Sequence, residues 1–234
     1  MIDRTSLARW IQDKHLDDDA LEGYRKAMAG HPARLLLLQD LLVEEKAEKL
    51  ARFLAEEARF GKEYGLYSAD GAVKEDVWER ADEEDRMFRL GRLAGIPPEY
   101  QLSPNALTYL QFRKSLQRPE FAGFFQGITG LDLGPSDDFG VQAMGPGDFL
   151  RAHTDDVKDR RIALVIYLSR DWDPSCGGSL VMSDPHGEAT RIDPEYNSMV
   201  VFDVWAETSH LVEPIGSEAG DRLRFTIGGW YPGS

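Results

Sequence analysis

The sequence predicts an α+β fold in which helices pack on one face of a strand-built sandwich or jelly roll. Three observations point there. The chain changes character near residue 140. Before that point apolar residues recur at helical spacing, and after it short alternating segments follow one another with turn residues between them. The length of 234 residues fits one domain over 1–234 and can bury a core without staples. Residues 1–138 read as a mainly helical support, and 139–234 as the strand core.

Over 34–39 a short strand is possible. In 47–58, Ala47, Leu50, Ala51, Leu54 and Ala58 form one helical stripe, and Glu44, Glu45 and Glu48 lie where a helix N-terminus favours acids. Residues 61–90 are acidic and carry Gly61, Gly65 and Gly71, which suggests a solvated loop and helix or a mobile cover. A helix starts at Ser103-Pro104, with Leu107 and Leu110 expected to face inward. Another covers 119–130: Pro119 suits its first turn, Phe121, Phe124, Phe125 and Ile128 make its apolar face, and Gly130 ends it.

Beyond residue 138 the expected strands are 139–144, 148–154, 161–169, 178–183, 189–193, 198–204, 209–215 and 222–230. Gly145-Pro146-Gly147, Asp173-Pro174, Asp184-Pro185-His186-Gly187 and Pro194-Glu195-Tyr196-Asn197 separate them with turn chemistry. About eight short strands at even spacing suit a sandwich or jelly roll.

Composition removes several function classes. The one cysteine, Cys176, cannot make an internal disulfide, so a disulfide framework is not expected and a reducing cytoplasm is. The first residues carry no apolar leader, and the longest apolar run, 162–168, is too short for a membrane span. A net charge of −14 disfavours a sequence-independent grip on nucleic acid, while leaving room for a basic partner.

Of five histidines, His15 and His31 sit in polar N-terminal sequence and His186 in a turn, where surface positions are expected. His153 and His210 fall in strands. Residues i and i+2 of a strand share a face, so His153 and Asp155 project a nitrogen and an oxygen to one point. His210, 57 residues after His153, can close a triangular metal face. Two imidazoles and a carboxylate suit non-haem Fe(II) and leave positions open, although the same set can hold zinc. In the alternating stretch 222–227, Arg222, Arg224 and Thr226 share a face that could receive a carboxylate, with Tyr167 a further donor.

Together these residues resemble the prolyl-4-hydroxylase-like branch of the Fe(II)/2-oxoglutarate-dependent dioxygenases. The likeness runs in order through Gly147, Leu150, His153 and Asp155; Tyr167-Leu168; Trp172; Gly177-Gly178-Ser179-Leu180; Pro194, Asn197 and Phe202; His210 to Pro214; and Arg224-Phe225-Thr226 leading to Gly229-Trp230. It covers roughly residues 140–231. It implies a double-stranded β-helix of the cupin-like kind. It also implies Fe(II) held by His153, Asp155 and His210, and 2-oxoglutarate held by Arg224, Thr226 and Tyr167. Arg224, counted back from Trp230, takes the arginine role ahead of Arg222.

Arg161 and Trp230 fall where that branch lines the substrate mouth. Met144 stands where many members have tyrosine, and Gln142, two residues earlier, offers a polar contact instead. The presence of Asp155 argues against halogenation. Thr154, Glu207 and Thr208 are candidates to orient the ligands.

The implied chemistry is oxidative decarboxylation of 2-oxoglutarate with O2 to succinate and CO2, coupled to hydroxylation of a C–H bond, with ascorbate as reductant. The substrate would be a prolyl or other residue of a peptide or protein. The alternatives are a free amino acid or natural product, a non-catalytic jelly-roll module, and a zinc hydrolase, in which the arginine has no role.

Overall fold

The computed structural model describes residues 4–157 and 159–234. In chain order the elements are α1 (Arg4–Leu7), α2 (Asp18–Gly30), β1 (Leu35–Leu38), α3 (Glu44–Arg52), β2 (Arg59–Leu66), β3 (Ala72–Val73), α4 (Glu75–Arg80), β4 (Arg86–Gly95), α5 (Pro104–Leu116), α6 (Pro119–Thr129), β5 (Phe139–Met144), β6 (Phe149–His153), β7 (Arg160–Tyr167), β8 (Leu180–Ser183), β9 (Ala189–Ile192), β10 (Ser198–Asp203), β11 (Ser209–Val212) and β12 (Arg224–Pro232). The eight strands expected beyond residue 138 are all present, each within a few residues of its expected ends.

The strands are hydrogen-bonded in the order β1-β10-β7-β12-β5-β4-β6-β11-β8-β9, with antiparallel neighbours. β4 is the hinge of this path. Gly91 and Arg92 pair with β5, while Phe88 and Arg89 pair with β6, so one strand folds the two halves of the sheet over each other. At Gly91 a Cβ would lie 2.7 Å from the Ala143 carbonyl oxygen, which only glycine avoids.

Strand periodicity sorts most of the core into two clusters, beside a small third one of Tyr64, Leu66 and Trp78. On β12, Phe225, Ile227 and Tyr231 face outward with Ile162, Leu164 and Ile166 of β7, and the helices cover them through Phe112, Phe121, Phe124 and Phe125. The opposite parity, Tyr167 and Ala163 with Met144, Leu90, Leu180, Val200 and Phe202, points between the sheet halves. The helices are built for this task. Ser103 caps α5 by accepting from the Ala106 N–H at 2.9 Å, and Gly130 closes α6 in the left-handed conformation at φ 73°. α3 continues into a π-turn over Phe53–Glu57.

Three expectations change. Residues 61–90 do contain a helix, α4, but the rest is mostly strand and not a loop or mobile cover. β2 and β4 form a long antiparallel pair, and β4 walls the interior. Leu107 and Leu110 do not face inward; they are about 40% exposed, and α5 buries Ala106, Tyr109, Phe112 and Leu116. His15 is not a surface residue. It is buried, with Nδ1 2.7 Å from the Tyr24 hydroxyl and Nε2 3.1 Å from the Gln39 and Asp40 carbonyl oxygens. Cys176 is likewise buried, in a short turn of helix at Pro174–Cys176.

The Tyr231 hydroxyl, fully buried on β12, donates to the Leu116 carbonyl at 2.6 Å and ties the end of α5 to the sheet. Tyr231→Phe leaves that carbonyl unpaired and should lower stability by about 1–2 kcal/mol. A urea unfolding curve measures this, and an unchanged midpoint would contradict it.

Candidate active site

β6 and β11 pair with His153 directly opposite His210, and their rings lie 4.2 Å apart. Asp155 follows the end of β6, and its carboxylate reaches both imidazoles: Oδ1 is 3.6 Å from His153 Nε2 and Oδ2 is 3.5 Å from His210 Nε2. Among the described residues these three form the one His/Cys/Asp/Glu group able to share a metal ion, with ligand atoms all within 4.8 Å of one another. The His153 Nδ1 lies 2.9 Å from the Arg151 carbonyl oxygen. That contact favours the proton on Nδ1 and leaves the Nε2 lone pair facing Asp155. Phe202 packs its edge against the His210 ring at 5.0 Å.

The electrostatics favour a metal-ready state. Burial pushes His210 down to about 4, helped by His153 and opposed by Asp155, so the ring is neutral near pH 7. Burial raises the Asp155 carboxyl, but the His153 hydrogen bond, both imidazoles and the Trp230 indole outweigh it and hold the group below its ordinary value. A neutral His210 imidazole and the Asp155 carboxylate, with the His153 ring opposite, make up the donor chemistry of a facial triad.

These values make stability pH-dependent. The unfolded chain takes up the His210 proton near pH 6.5, and the folded metal-free chain only near pH 4. Stability is therefore full above that range and falls as pH drops through it, by about 3 kcal/mol in total. Asp155, lowered in the folded state, adds a loss at still lower pH. Urea midpoints of metal-free protein between pH 7.5 and pH 4.5 should show this slope, and His210→Gln should flatten it. An equal slope in the variant would exclude His210 as its source.

A cavity of about 280 Å³ opens between the sheet halves. His153, Asp155 and His210 line it together with Arg224, Thr226, Gln142 and Trp230. Leu90, Leu150, Leu180, Val212 and Phe202 supply apolar wall. Arg224 is only 2% exposed, and among the described residues no carboxylate lies within ion-pair distance of it. Its Nε has no hydrogen-bond partner, its Nη1 meets only the Met144 sulfur at 3.6 Å, and its guanidinium lies 5.0 Å from the Tyr167 ring. The Tyr167 hydroxyl is also buried and unpaired. Thr226 pairs in register with both Tyr167 and Gln142, which gathers these groups at one level of the sheet. Burying a cation without an anion is costly, so this end of the cavity is built to receive one.

The glycine pair before β8 makes room for it. Gly178 sits at φ 77°, and a Cβ there would come 2.9 Å from the Arg224 side chain and 2.4 Å from Ile215. A buried cation with orphaned donors, near a carboxylate-imidazole set, fits 2-oxoglutarate and Fe(II).

The other expected residues fall as follows. Met144 lies beneath the Arg224 guanidinium, fully buried. Arg222 precedes β12 and does not share the Arg224 face; it donates to the Ala219 and Glu218 carbonyls beside Cys176. Thr208 is buried, whereas Thr154 and Glu207 are exposed. Trp230 lines the cavity, but Arg161 does not: it pairs with Asp203 at 2.8 Å and stacks on Trp205. Arg160 lines the cavity in its place. The reason is a register shift, since Tyr231 pairs with Ile162 but Pro232 pairs with Arg160, which inverts the alternation at the start of β7. Met87, Phe88 and Arg92 of β4 also reach the cavity. Sequence reasoning missed them because 86–93 shows no clean alternation.

Residues 140–232 match a family model described as the 2OG-Fe(II) oxygenase superfamily. Prolyl 3-hydroxylase OGFOD1 of Mus musculus is 31% identical over 126 residues, covering 51% of this chain and 23% of that protein. Prolyl 3-hydroxylase sudestada1 of Drosophila melanogaster is 30% identical over 99 residues, covering 37% and 18%. The chain thus spans less than a quarter of the length of these curated relatives. Among solved structures, a Pseudomonas putida prolyl-4-hydroxylase superposes with a TM-score of 0.58 at 22% identity, over 92% of this chain and 99% of that one. A Trichoplax adhaerens prolyl hydroxylase, in complex with a hypoxia inducible factor oxygen degradation domain peptide fragment, superposes with a TM-score of 0.62 at 14% identity, over 95% and 93%. These likenesses identify the fold as a double-stranded β-helix.

Proposed function

We propose that this chain, whose residues 140–232 match the 2OG-Fe(II) oxygenase superfamily model, is an Fe(II)/2-oxoglutarate-dependent dioxygenase hydroxylating a prolyl or other residue of a peptide or protein. The observation that carries the proposal is one cavity holding both a His-Asp-His set and a buried arginine without a counter-ion. A zinc hydrolase would leave that arginine unexplained. Fe(II) and 2-oxoglutarate, when bound, would supply the oxidising equivalent from O2, with release of succinate and CO2.

The chain's own residues would bind, orient and exclude. His153, Asp155 and His210 would hold the metal through neutral imidazole nitrogens and a carboxylate oxygen. Arg224 would pair with the far carboxylate of 2-oxoglutarate, and the Thr226 and Tyr167 hydroxyls would donate to it. The apolar wall would keep water from the reacting atoms. Arg160, Trp230 and Gln142 line the cavity where a substrate could lie against them. The strands β1, β2 and β4 join the same sheet as 139–234, which supports one domain over 1–234. No helix among the described residues is long and apolar enough to cross a membrane. The buried free thiol of Cys176 supports a cytoplasmic setting.

The test is O2-dependent succinate formation with Fe(II), 2-oxoglutarate and ascorbate, first alone and then with pooled proline-containing peptides. Stimulation by peptides, and mass gain of one oxygen on one of them, supports the proposal. The second reading, hydroxylation of a free amino acid, is favoured by Arg92. This side chain brings another guanidinium to the cavity, its Nε 3.3 Å from Glu63. Stimulation by free amino acids and by no peptide would favour it. No succinate, and no visible absorption band when 2-oxoglutarate meets the Fe(II) protein, would favour a non-catalytic module.

A further inference from the structure

Among the described residues three arginines line the cavity, Arg92, Arg160 and Arg224. Two are already engaged. Arg224 lies at the buried end proposed for 2-oxoglutarate. Arg160 gives Nε and Nη2 to Asp138 at 3.0 and 2.8 Å, and its guanidinium lies over the Trp230 ring at 3.5 Å. Arg92 is different. Its one hydrogen bond runs from Nε to Glu63 Oε2 at 3.3 Å, and Glu63 is itself 41% exposed. A guanidinium ordinarily grips a carboxylate through two parallel N–H bonds. A single long contact at Nε leaves the Nη edge of Arg92 open.

That edge faces a floor without side chains. Gly140 and Gly228 pair in register on β5 and β12, and both line the cavity. A Cβ on Gly140 would lie 3.0 Å from Arg92 Nη1, so the bare floor is what lets the guanidinium lie there. Beside it stands Gln142, the register partner of Arg92, also in the cavity wall. Its side-chain amide has no hydrogen-bond partner among the described residues. Across the sheet, Arg92, Gln142, Thr226 and Tyr167 form one row. Thr226 and Tyr167 mark the buried end of this row, and Arg92, with its side chain 34% exposed, marks the open end. Two strand spacings, about 10 Å, separate the backbones of Arg92 and Thr226, so the two ends can hold different groups.

We infer that Arg92, with Gln142 beside it, is a specificity-determining site for a carboxylate carried by the substrate. The carboxylate is that of an acidic residue next to the oxidised one in a peptide, or the α-carboxylate of a free amino acid. This rests on the dioxygenase reading of the same cavity. An arginine serving only to join β4 to β2 would need Glu63 and no open floor before its Nη edge.

The test is equilibrium dialysis of the full chain with Co(II) and 2-oxoglutarate against paired ligands, read by mass spectrometry. One set pairs blocked tripeptides containing Asp or Glu with the same peptides containing Asn or Gln. The other pairs free amino acids with their amides. The wild type should retain carboxylate members of at least one set about tenfold over their amide partners. Preference within the peptides identifies an acidic residue as the source, and preference within the amino acids identifies the α-carboxylate. Arg92→Gln should bring the ratio to about one without weakening retention of the amide partners, a change that a purely structural role would not produce. Glu63→Gln removes the competing anion and should raise the ratio; it carries the test if Arg92→Gln does not fold. Equal retention of the paired ligands by the wild type, retention of none included, would overturn the inference, as would an unchanged ratio in the folded variants. Anaerobic addition of 2-oxoglutarate to the wild-type Fe(II) protein keeps the two readings apart. A visible band without any carboxylate preference removes only the role of Arg92, whereas no band removes the dioxygenase reading beneath it.

Discussion

Replacing Arg224 with methionine should weaken 2-oxoglutarate binding by roughly a hundred- to a thousandfold while sparing the metal centre. The guanidinium is buried and faces no protein carboxylate, so its electrostatic partner must come from outside the chain. Two charge-assisted hydrogen bonds at about 1.5–3 kcal/mol each, partly offset by desolvation of the ligand, give that range. The same substitution should leave the ligand-free protein as stable as before or more so, because it removes a buried charge that nothing compensates. The combination is diagnostic: an arginine serving the fold would lose stability when replaced, and one serving a ligand would lose only binding. Anaerobic titration of the Fe(II) protein with 2-oxoglutarate, followed by the visible absorption band, gives the affinity; thermal unfolding without ligand gives the other half. Affinity within threefold of the wild type would remove Arg224 from the site.

The strand core was legible because the strands beyond residue 138 are short, either alternate or, as in β7 and β10, run apolar, and are separated by turn residues. Asn197 shows how local this is: it takes φ 57° in the turn before β10, and its side chain pairs with the backbone of Leu42. What stayed hidden was β4. Its two faces are both partly covered, by the cavity over Phe88, Leu90 and Arg92 and by the outer apolar cluster over Leu93, so the strand does not separate apolar from polar residues. A strand that bridges two half-sheets belongs to neither pattern. The inward placement of Leu107 and Leu110 failed for a related reason. α5 carries apolar residues around much of its circumference, and only packing against α3 and the sheet selects Tyr109 and Phe112.

The site was legible to the extent that its residues obey strand parity. His153 with Asp155, and Arg224 with Thr226, each lie two apart and reach the same cavity. Arg161 obeys the same rule on paper, being two residues before Ala163, yet lies off the cavity because the pairing slips between Tyr231 and Pro232. No residue type marks that slip in the sequence. The buried state of His15 was hidden for another reason, since its partners are the Tyr24 hydroxyl and two backbone carbonyls, groups that a linear reading does not bring together.

Changing Asp155 to asparagine should reduce metal affinity by at least about a hundredfold and bring O2-dependent succinate formation to background. The side chain keeps its volume, so the effect isolates charge. Each carboxylate oxygen now lies near one imidazole Nε2, at 3.6 and 3.5 Å, and the amide would offer one oxygen and one N–H donor to the same two nitrogens. An N–H aimed at an imidazole lone pair competes with a metal for that lone pair. The amide also removes the anion whose charge a divalent cation needs in a cavity this buried. The metal-free protein should also lose some stability near pH 7, because the folded state holds this carboxyl below its ordinary value and the amide gives that contribution up. His210, deprived of the one influence that raises it, should become still harder to protonate, so the acid-side fall in stability that it causes should begin no later in the variant. Co(II) titration, succinate assay and urea unfolding of the same preparation separate these effects. Co(II) affinity within threefold of the wild type, in a folded variant, would mean that the ion is held elsewhere.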